Sequence, residues 1–337
     1  MRQTALIVGG SGQIGQAVCR GLLGHGWRVI AAQRGGERFP EPLGDLGALT
    51  VDLDRDEPGA LARAVGGGVD ALIDTVAYDS AHARQLLDVQ GDVGAFVVIS
   101  SASVYQDSKG RTLDEAAANG FPDFPIPVGE DQPTVAPGSE TYSTRKVALE
   151  QALLQNARRP VTILRPGAIY GVGSRHPREW WFVKRILDGR RAVPLAWNGQ
   201  SRFHASATAN IAELIAVALA QPDTRVLNAA DPEALTVTAI GEAVSGHYAH
   251  DWRMVPFEGP PRGAVGRSPW AIPLPIVLDM ARAEALGYRP VTRYRDAVGD
   301  VCASAQAAAQ AGVDFPDYLM AMFDYPAEDA FLTGRAG

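Results

Sequence analysis

The stretch Thr4-Ala5-Leu6-Ile7-Val8 followed by Gly9-Gly10-Ser11-Gly12-Gln13-Ile14-Gly15 decides the fold. Its first five residues form a short apolar run rich in branched side chains, suited to a strand buried on both faces of a parallel sheet. The glycines follow at once, and Gln16 to Leu23 then has the apolar spacing of an amphipathic helix. A second apolar run, Trp27 to Ala31, completes a strand, turn, helix and strand in order. In such a unit, glycines at 9, 12 and 15 allow a tight turn, close approach of backbone to a pyrophosphate, and close packing of helix on strand. The helix N-terminus supplies free N–H donors and the positive end of its dipole. The spacing is GxxGxxG rather than GxGxxG, and a dinucleotide is the expected ligand.

Two later segments carry reactive groups. Phe96-Val97-Val98-Ile99 runs directly into Ser100-Ser101-Ala102-Ser103-Val104-Tyr105. A fully apolar strand ending in serines places hydroxyls at the carboxyl edge of a parallel sheet, where open α/β sheets bind ligands. Read alone, the serines serve equally as turn formers or caps. Tyr142-Ser143-Thr144-Arg145-Lys146 puts a phenol and an ammonium at i and i+4, on one face of a helix. A phenol with a pKa near ~10 is a poor base at neutral pH, and an adjacent cation stabilises its phenolate. By itself this spacing is also that of an ordinary half-exposed helix face.

Together with Leu164-Arg165-Pro166-Gly167-Ala168-Ile169-Tyr170-Gly171, these segments resemble the extended short-chain dehydrogenase/reductase family, the group of nucleotide-sugar epimerases, dehydratases and many ketone reductases. The resemblance covers about the first 230 residues well and the remainder loosely. It implies an α/β fold, a doubly wound Rossmann-type parallel sheet with a smaller C-terminal α+β substrate-binding domain. Residues 1–169, with a return segment near 204–232, would bind the dinucleotide; 170–203 and 233–337 would bind substrate. Tyr142 is the implied acid/base, Lys146 its partner and a ligand of the nicotinamide ribose, and Ser101 the group that hydrogen-bonds the reacting oxygen. Gly9, Gly12, Gln13, Ile14, Gly15 and Ala77 would join the cofactor site, with Pro166, Gly167 and Ile169 along the nicotinamide. Ser103 and Tyr105 would face substrate.

Composition narrows the class. The chain has 337 residues, 46% of them hydrophobic, enough for a large core and a satellite domain. Its net charge of −7, with both signs interspersed, gives no general attraction for nucleic acid or anionic lipid. Cys19 and Cys302 are lone thiols far apart, which suggests neither a disulfide framework nor a metal site and suits a reducing compartment. The N-terminus enters the first strand directly, and no apolar run has the length of a membrane span. A cytoplasmic monomer or homodimer acting on a small molecule is expected.

Cofactor choice is argued from the end of the second strand. Enzymes preferring NAD usually carry an acid there for the ribose 2′-hydroxyl, which also repels a 2′-phosphate. This chain has Gln33, then Arg34, whose guanidinium can clamp a phosphate. NADP(H) is therefore favoured, with NAD(H) the alternative; Arg34 could also stack on adenine without touching a phosphate. The resemblance places Asp52 and Leu53 beside the adenine, although Asp52 could equally cap the next helix.

The chain departs from the family twice. Only one short helical stretch, roughly His82 to Val89, separates the fourth and fifth strands, without the asparagine that relatives use in a proton relay. The connection from Gln106 to Thr141 is long and rich in Pro, Gly and acids; it reads either as a lid using Phe121 and Phe124 or as a passive surface excursion. Further on, His176 and Trp180 fall where a substrate cavity is expected, His176 more as a polar contact than as an acid/base group. Arg202 and His204 precede an alanine-rich helix and are candidate ligand contacts, with helix-entry packing the alternative for His204. Ile276 to Leu286 reads as a helix closed by Gly287.

The reading that results is an NADP-dependent reductase transferring hydride at a carbonyl or secondary alcohol through a tyrosine acid/base. An NAD(P)-dependent epimerase of a sugar or sugar nucleotide is the first alternative. A non-catalytic nucleotide-binding or redox-sensing protein is the second.

Overall fold

Alternation along the central strands sets the architecture. In a computed structural model, which describes residues 2–35 and 43–334, strand β1 (Thr4–Val8) is buried from Ala5 to Val8. Its side chains divide by parity between two cores: Ala5 and Ile7 enter one, Leu6 and Val8 the other. β4 (Val69–Asp74) and β5 (Val93–Ile99) divide the same way, with Ala71, Ile73, Val97 and Ile99 on the first side and Leu72, Phe96 and Val98 on the second. A strand whose successive residues are all apolar needs helices on both of its faces.

Those helices are present. α1 (Gln13–Gly24) and the helix Thr208–Ala220 cover the first face with Val18, Leu22, Ile211, Leu214 and Ile215. α2 (Ala60–Val65), α3 (Ser80–Asp88) and α5 (Tyr142–Asn156) cover the second with Leu61, Leu86, Leu149 and Leu153; α4 is a single turn at Ala116–Asn119. Each fully buried Leu, Ile or Val contributes about 1.5–3 kcal/mol. The sheet is thus held by its own side chains before any ligand adds to it.

Seven strands make one sheet, all parallel. With β2 (Arg28–Gln33), β3 (Leu49–Asp52) and β6 (Val161–Pro166), the order is Arg225–Ala229, β6, β5, β4, β1, β2, β3. The chain steps one way from β1 to β3, then returns to the other side of β1 to place β4. The direction reverses between β1 and β4, so the connections leaving their carboxyl ends turn opposite ways and leave a crevice, the place where such sheets take ligands. This is a doubly wound Rossmann-type sheet.

The chain divides into two compact units. One comprises Met1–Ile169, Thr208–Ala230 and Leu278–Val291; the other comprises Tyr170–Ala207, Asp231–Val277 and Thr292–Gly337. The second has its own core around Trp181, Phe182, Val244 and Trp270, and a short parallel pair, Ala192–Leu195 with Arg253–Pro256. Within it a fully buried Arg185–Glu328 ion pair at 2.5 Å ties the helix Tyr325–Thr333 to the helix Trp180–Leu187.

Two local expectations change. The helix expected over 276–286 is confined to Ala281–Ala285. Ile276 instead exchanges backbone hydrogen bonds with Arg202 and His204, and Asp279 N–H donates to Val128 O, so extended pairing wins over helical spacing there. Phe124 in the long connection is 6% exposed, packed inward rather than presented as a lid residue. That connection is pinned at Asp107, whose carboxylate accepts from the N–H groups of Lys109, Arg111 and Asp123 and from Arg111 Nε at 2.7 Å. Cys19 and Cys302 are both free and buried. Among the described residues no helix is long and apolar enough to cross a membrane, and no His, Cys, Asp and Glu cluster could hold a metal ion.

Candidate active site

The glycine turn closes over the β1–β4 crevice. Gly9 has φ +84°, and a Cβ there would meet Thr75 Oγ1 at 2.5 Å and Val76 at 2.6 Å. Thr75 is fixed against the turn because its N–H and hydroxyl both donate to Val8 O. At Gly15 a Cβ would come within 2.1 Å of Gly9 O, so α1 lies directly on the turn that precedes it. Gly12 is the N-cap of α1 and no side chain caps it, leaving the N–H groups of the first turn to a ligand. Buried Gln16 braces the loop through Nε2 to Ser11 O at 3.3 Å. An uncapped helix end behind a glycine cradle fits a dinucleotide pyrophosphate. Gln13 lies on the first helical turn, while the Ile14 side chain is buried in the sheet core.

α5 starts at the tyrosine. Thr141 and Thr144 form a reciprocal capping box, so the helix begins at Tyr142 rather than a turn later. Asp114, from the long connection, accepts the Ser143 N–H at 2.7 Å and adds negative charge at the positive end of the helix. The Ser143 hydroxyl donates within a contact to Ser103, 2.9 Å from both Ser103 O and Oγ, which binds the helix start to the serine turn after β5. In that turn Ser101 Oγ accepts the Ser103 N–H at 3.1 Å, and the Ser101 hydroxyl is near enough to the Tyr142 phenol to favour its ionised form. Ser101, Ser103 and Tyr142 therefore come together as one constellation.

Lys146 lies one turn along the same face. It is 5% exposed, and Nζ donates to Ala77 O at 2.6 Å and Ile99 O at 2.9 Å, the chain ends leaving β4 and β5. Nζ is also 5.6 Å from the centre of the Tyr142 ring. Burial lowers the Lys146 pKa to about 8, against the attraction of Asp74 and Glu150. The expectation of a lowered phenol pKa is not met. Tyr142 is 42% exposed, yet desolvation of its phenol raises its pKa; the Ser101 hydroxyl opposes that shift, and Tyr78 and Asp114 add to it.

Tyr78 and Asp114 are two site residues that sequence reasoning missed. The Tyr78 ring lies 5.7 Å from that of Tyr142, with the Arg145 guanidinium 5.5 Å from the centre of the Tyr78 ring. Tyr78 follows β4 as Ser101 follows β5, so the rule that flagged the serines applies to it equally. Asp114 has no local signal, since its partner is 29 residues away in the chain.

At the far end of the crevice Arg34 is exposed, and Asp52 Oδ1 accepts the Gly35 N–H at 2.9 Å, linking the ends of β2 and β3. Leu53 is 5% exposed and belongs to the sheet core, so only its backbone borders this edge. Pro166 is buried at the end of β6, with Gly167 and Ile169 half-buried beyond it. Tyr105 turns inward: it is 1% exposed, its hydroxyl donates to Asn228 Oδ1 at 2.6 Å, and Arg165 lies 5.0 Å from the centre of its ring.

The other substrate candidates lie in the second unit. His176 is exposed and stacks on Tyr318 at 5.9 Å, and Arg202 is exposed. Trp180 packs in that unit's core against Phe315 at 5.0 Å. His204 is 4% exposed with Nε2 2.8 Å from Asp231 O, and burial lowers its pKa to about 4.

The family model of the NAD dependent epimerase/dehydratase family matches residues 5–230. The chain is 30% identical over 223 residues to 2′-dehydrokanamycin reductase of Streptomyces kanamyceticus, covering 63% of this chain and 57% of that protein. It is 31% identical over 208 residues to 2-alkyl-3-oxoalkanoate reductase of Stenotrophomonas maltophilia, covering 55% of this chain and 56% of that protein. Each match thus takes in little more than half the relative's length. Among solved structures, a UDP-galactose 4-epimerase superposes with TM-score 0.64 at 17% identity, over 90% of this chain and 99% of that one. MoeE5 in complex with UDP-glucuronic acid and NAD gives the same TM-score, identity and coverage, 0.64, 17%, 90% and 99%. With the glycine turn, the serine turn and the Tyr142–Lys146 helix inside the matched region, the chain belongs to the NAD-dependent epimerase/dehydratase family.

Proposed function

We propose that the chain is an NADP-dependent reductase that transfers hydride to a carbonyl carbon of a small molecule. The observation that carries this reading is the Lys146 ammonium held 5.6 Å from the Tyr142 ring, on a helix whose start is bound to the serine turn through Ser143 and Ser103. A phenol kept protonated at neutral pH is suited to give a proton to a developing alkoxide, the direction that reduction needs. A bound nicotinamide cofactor would supply the hydride. Ser101 would orient the carbonyl oxygen, Tyr142 would donate its proton to that oxygen, and the Lys146 ammonium would stabilise the phenolate left behind. Similarity to two reductases supports the same direction. The NADP preference rests on Arg34 after Gln33, where β2 itself ends without an acidic residue.

The family also supports an epimerase that keeps its cofactor and returns the hydride. Purified protein offered NADPH and a panel of ketones distinguishes the two. Stoichiometric NADPH oxidation that falls roughly 10²–10⁴-fold in Tyr142→Phe supports the reductase. No net consumption with any carbonyl, or undiminished consumption in the variant, would sink it.

A further inference from the structure

Behind the Tyr142–Lys146 face lies a buried charged pair that the proposed reaction does not use. Asp74, the last residue of β4, is 0% exposed. Arg55 Nη1 donates to its two oxygens at 3.2 and 2.9 Å, and the Arg55 side chain is itself only 9% exposed. Gln85 of α3 holds the arginine at both ends: Arg55 Nε donates to Gln85 Oε1 at 3.0 Å, and Gln85 Nε2 donates to Arg55 O at 2.9 Å. A buried ion pair is seldom the most stable filling for its volume, because removing two charges from water costs about as much as their attraction returns. Stability alone is therefore a weak reason for this pair.

Its position offers a better one. Asp74 Oδ1 also accepts the Val76 N–H at 3.0 Å, which fixes the bend by which the chain leaves β4. The next residue, Ala77, presents the carbonyl that receives Lys146 Nζ at 2.6 Å. We propose that Arg55 and Asp74 are positioning residues for Lys146: the carboxylate fixes the carbonyl that seats the ammonium, and the pair's two charges set the field around it. The part this plays in turnover rests on the reductase reading; the seating of Lys146 does not. Asp74 from β4 and Glu150 from α5 favour the ammonium, Arg55 opposes it, and the Tyr142 ring lies against it. Glu150 is paired with Arg165 at 3.0 and 2.5 Å, and only Asp74 also fixes the chain that carries the Ala77 carbonyl.

The chain has three lysines, Lys109, Lys146 and Lys184, so the ammonium can be titrated directly by NMR of protein carrying 13Cε-labelled lysine, without substrate. Asp74→Asn should lower the Lys146 midpoint and Arg55→Gln should raise it, each by on the order of one pH unit. Arg55→Lys, which keeps the charge, should return it to the wild-type value. The alkaline limb of kcat/KM should move in the same directions. Folded variants whose Lys146 midpoints all coincide with wild type would overturn the proposal. If Asp74→Asn does not fold, Arg55→Gln decides alone, and a midpoint unmoved or lowered counts against it. Shifted midpoints in a protein that never oxidises NADPH would leave this inference standing and remove the reductase reading.

Discussion

Lys146 Nζ donates at once to Ala77 O and Ile99 O, at 2.6 and 2.9 Å, while lying 5.6 Å from the centre of the Tyr142 ring. The i, i+4 pair on α5 is thereby nailed to the carboxyl ends of two sheet strands. A rotamer shift of the lysine would have to break two buried hydrogen bonds, so the distance between cation and phenol is set by the sheet.

The first prediction concerns alkaline pH. Burial lowers the Lys146 pKa to about 8, so its positive charge is present below that value and lost above it. The wild-type kcat/KM should fall as pH rises through about 8, and Lys146→Met should be low throughout, by roughly 10²-fold or more at neutral pH. A pH–rate profile that stays flat to pH 9.5 would separate Lys146 from the chemistry.

Gly15→Ala tests the cradle. The added Cβ would sit 2.1 Å from Gly9 O, so helix and turn must move apart. Cofactor affinity, read by fluorescence titration, should drop roughly tenfold or more as the pyrophosphate loses its aligned N–H groups. Unchanged affinity would show that the phosphates bind elsewhere.

Arg34→Ala tests cofactor choice. Losing a charge-assisted contact worth about 1.5–3 kcal/mol should weaken NADPH by roughly 10–100-fold and leave NADH nearly unaffected. Equal losses for the two would mean that Arg34 stacks on the adenine.

Asp107→Ala should loosen the long connection without reaching the sheet. Four donors lose their acceptor, and the loss of stability should be about 2–4 kcal/mol, measured by urea unfolding, with faster proteolysis between residues 106 and 124. Those hydrogen bonds hold the carboxyl well below the usual carboxylate range. Its contribution is therefore present above the ordinary value near ~4 and is lost only as pH falls beneath it.

His204 predicts acid sensitivity of the opposite origin. The buried ring has a pKa of about 4 against 6.5 when free, so the unfolded chain binds its proton first. Stability from this group is complete above 6.5 and is lost as pH falls toward 4, a change on the order of 3 kcal/mol. His204→Gln should flatten unfolding free energy between pH 7 and pH 4.5; an unchanged slope would rule the ring out as its source.

Much of the fold was legible because its signals are local. The parity of Ala5 to Val8, the glycines after them and the serines after Ile99 each belong to one stretch of chain with one conformational meaning. The i, i+4 spacing of Tyr142 and Lys146 was legible for the same reason. The inward turn of Tyr105 and Trp180 was not legible, because an aromatic after a strand or before a helix looks the same whether it turns inward or outward. The helix expected from Ile276 failed because apolar spacing does not reveal that Arg202 and His204 offer that segment a pairing edge.

By itself, the sequence determined the doubly wound sheet and the order in which its reactive groups arrive, because strand burial and helix spacing are short-range periodicities. Only the tertiary structure decided which of those groups meet. Asp114 reaches the start of α5 from 29 residues away, Asp74 closes on Arg55, and the Lys146 ammonium is seated on carbonyls 69 and 47 residues distant. Burial, which sets the direction of the Tyr142 and Lys146 pKa shifts, is likewise a property of the packed chain: it depends on what surrounds a side chain and not on what precedes it.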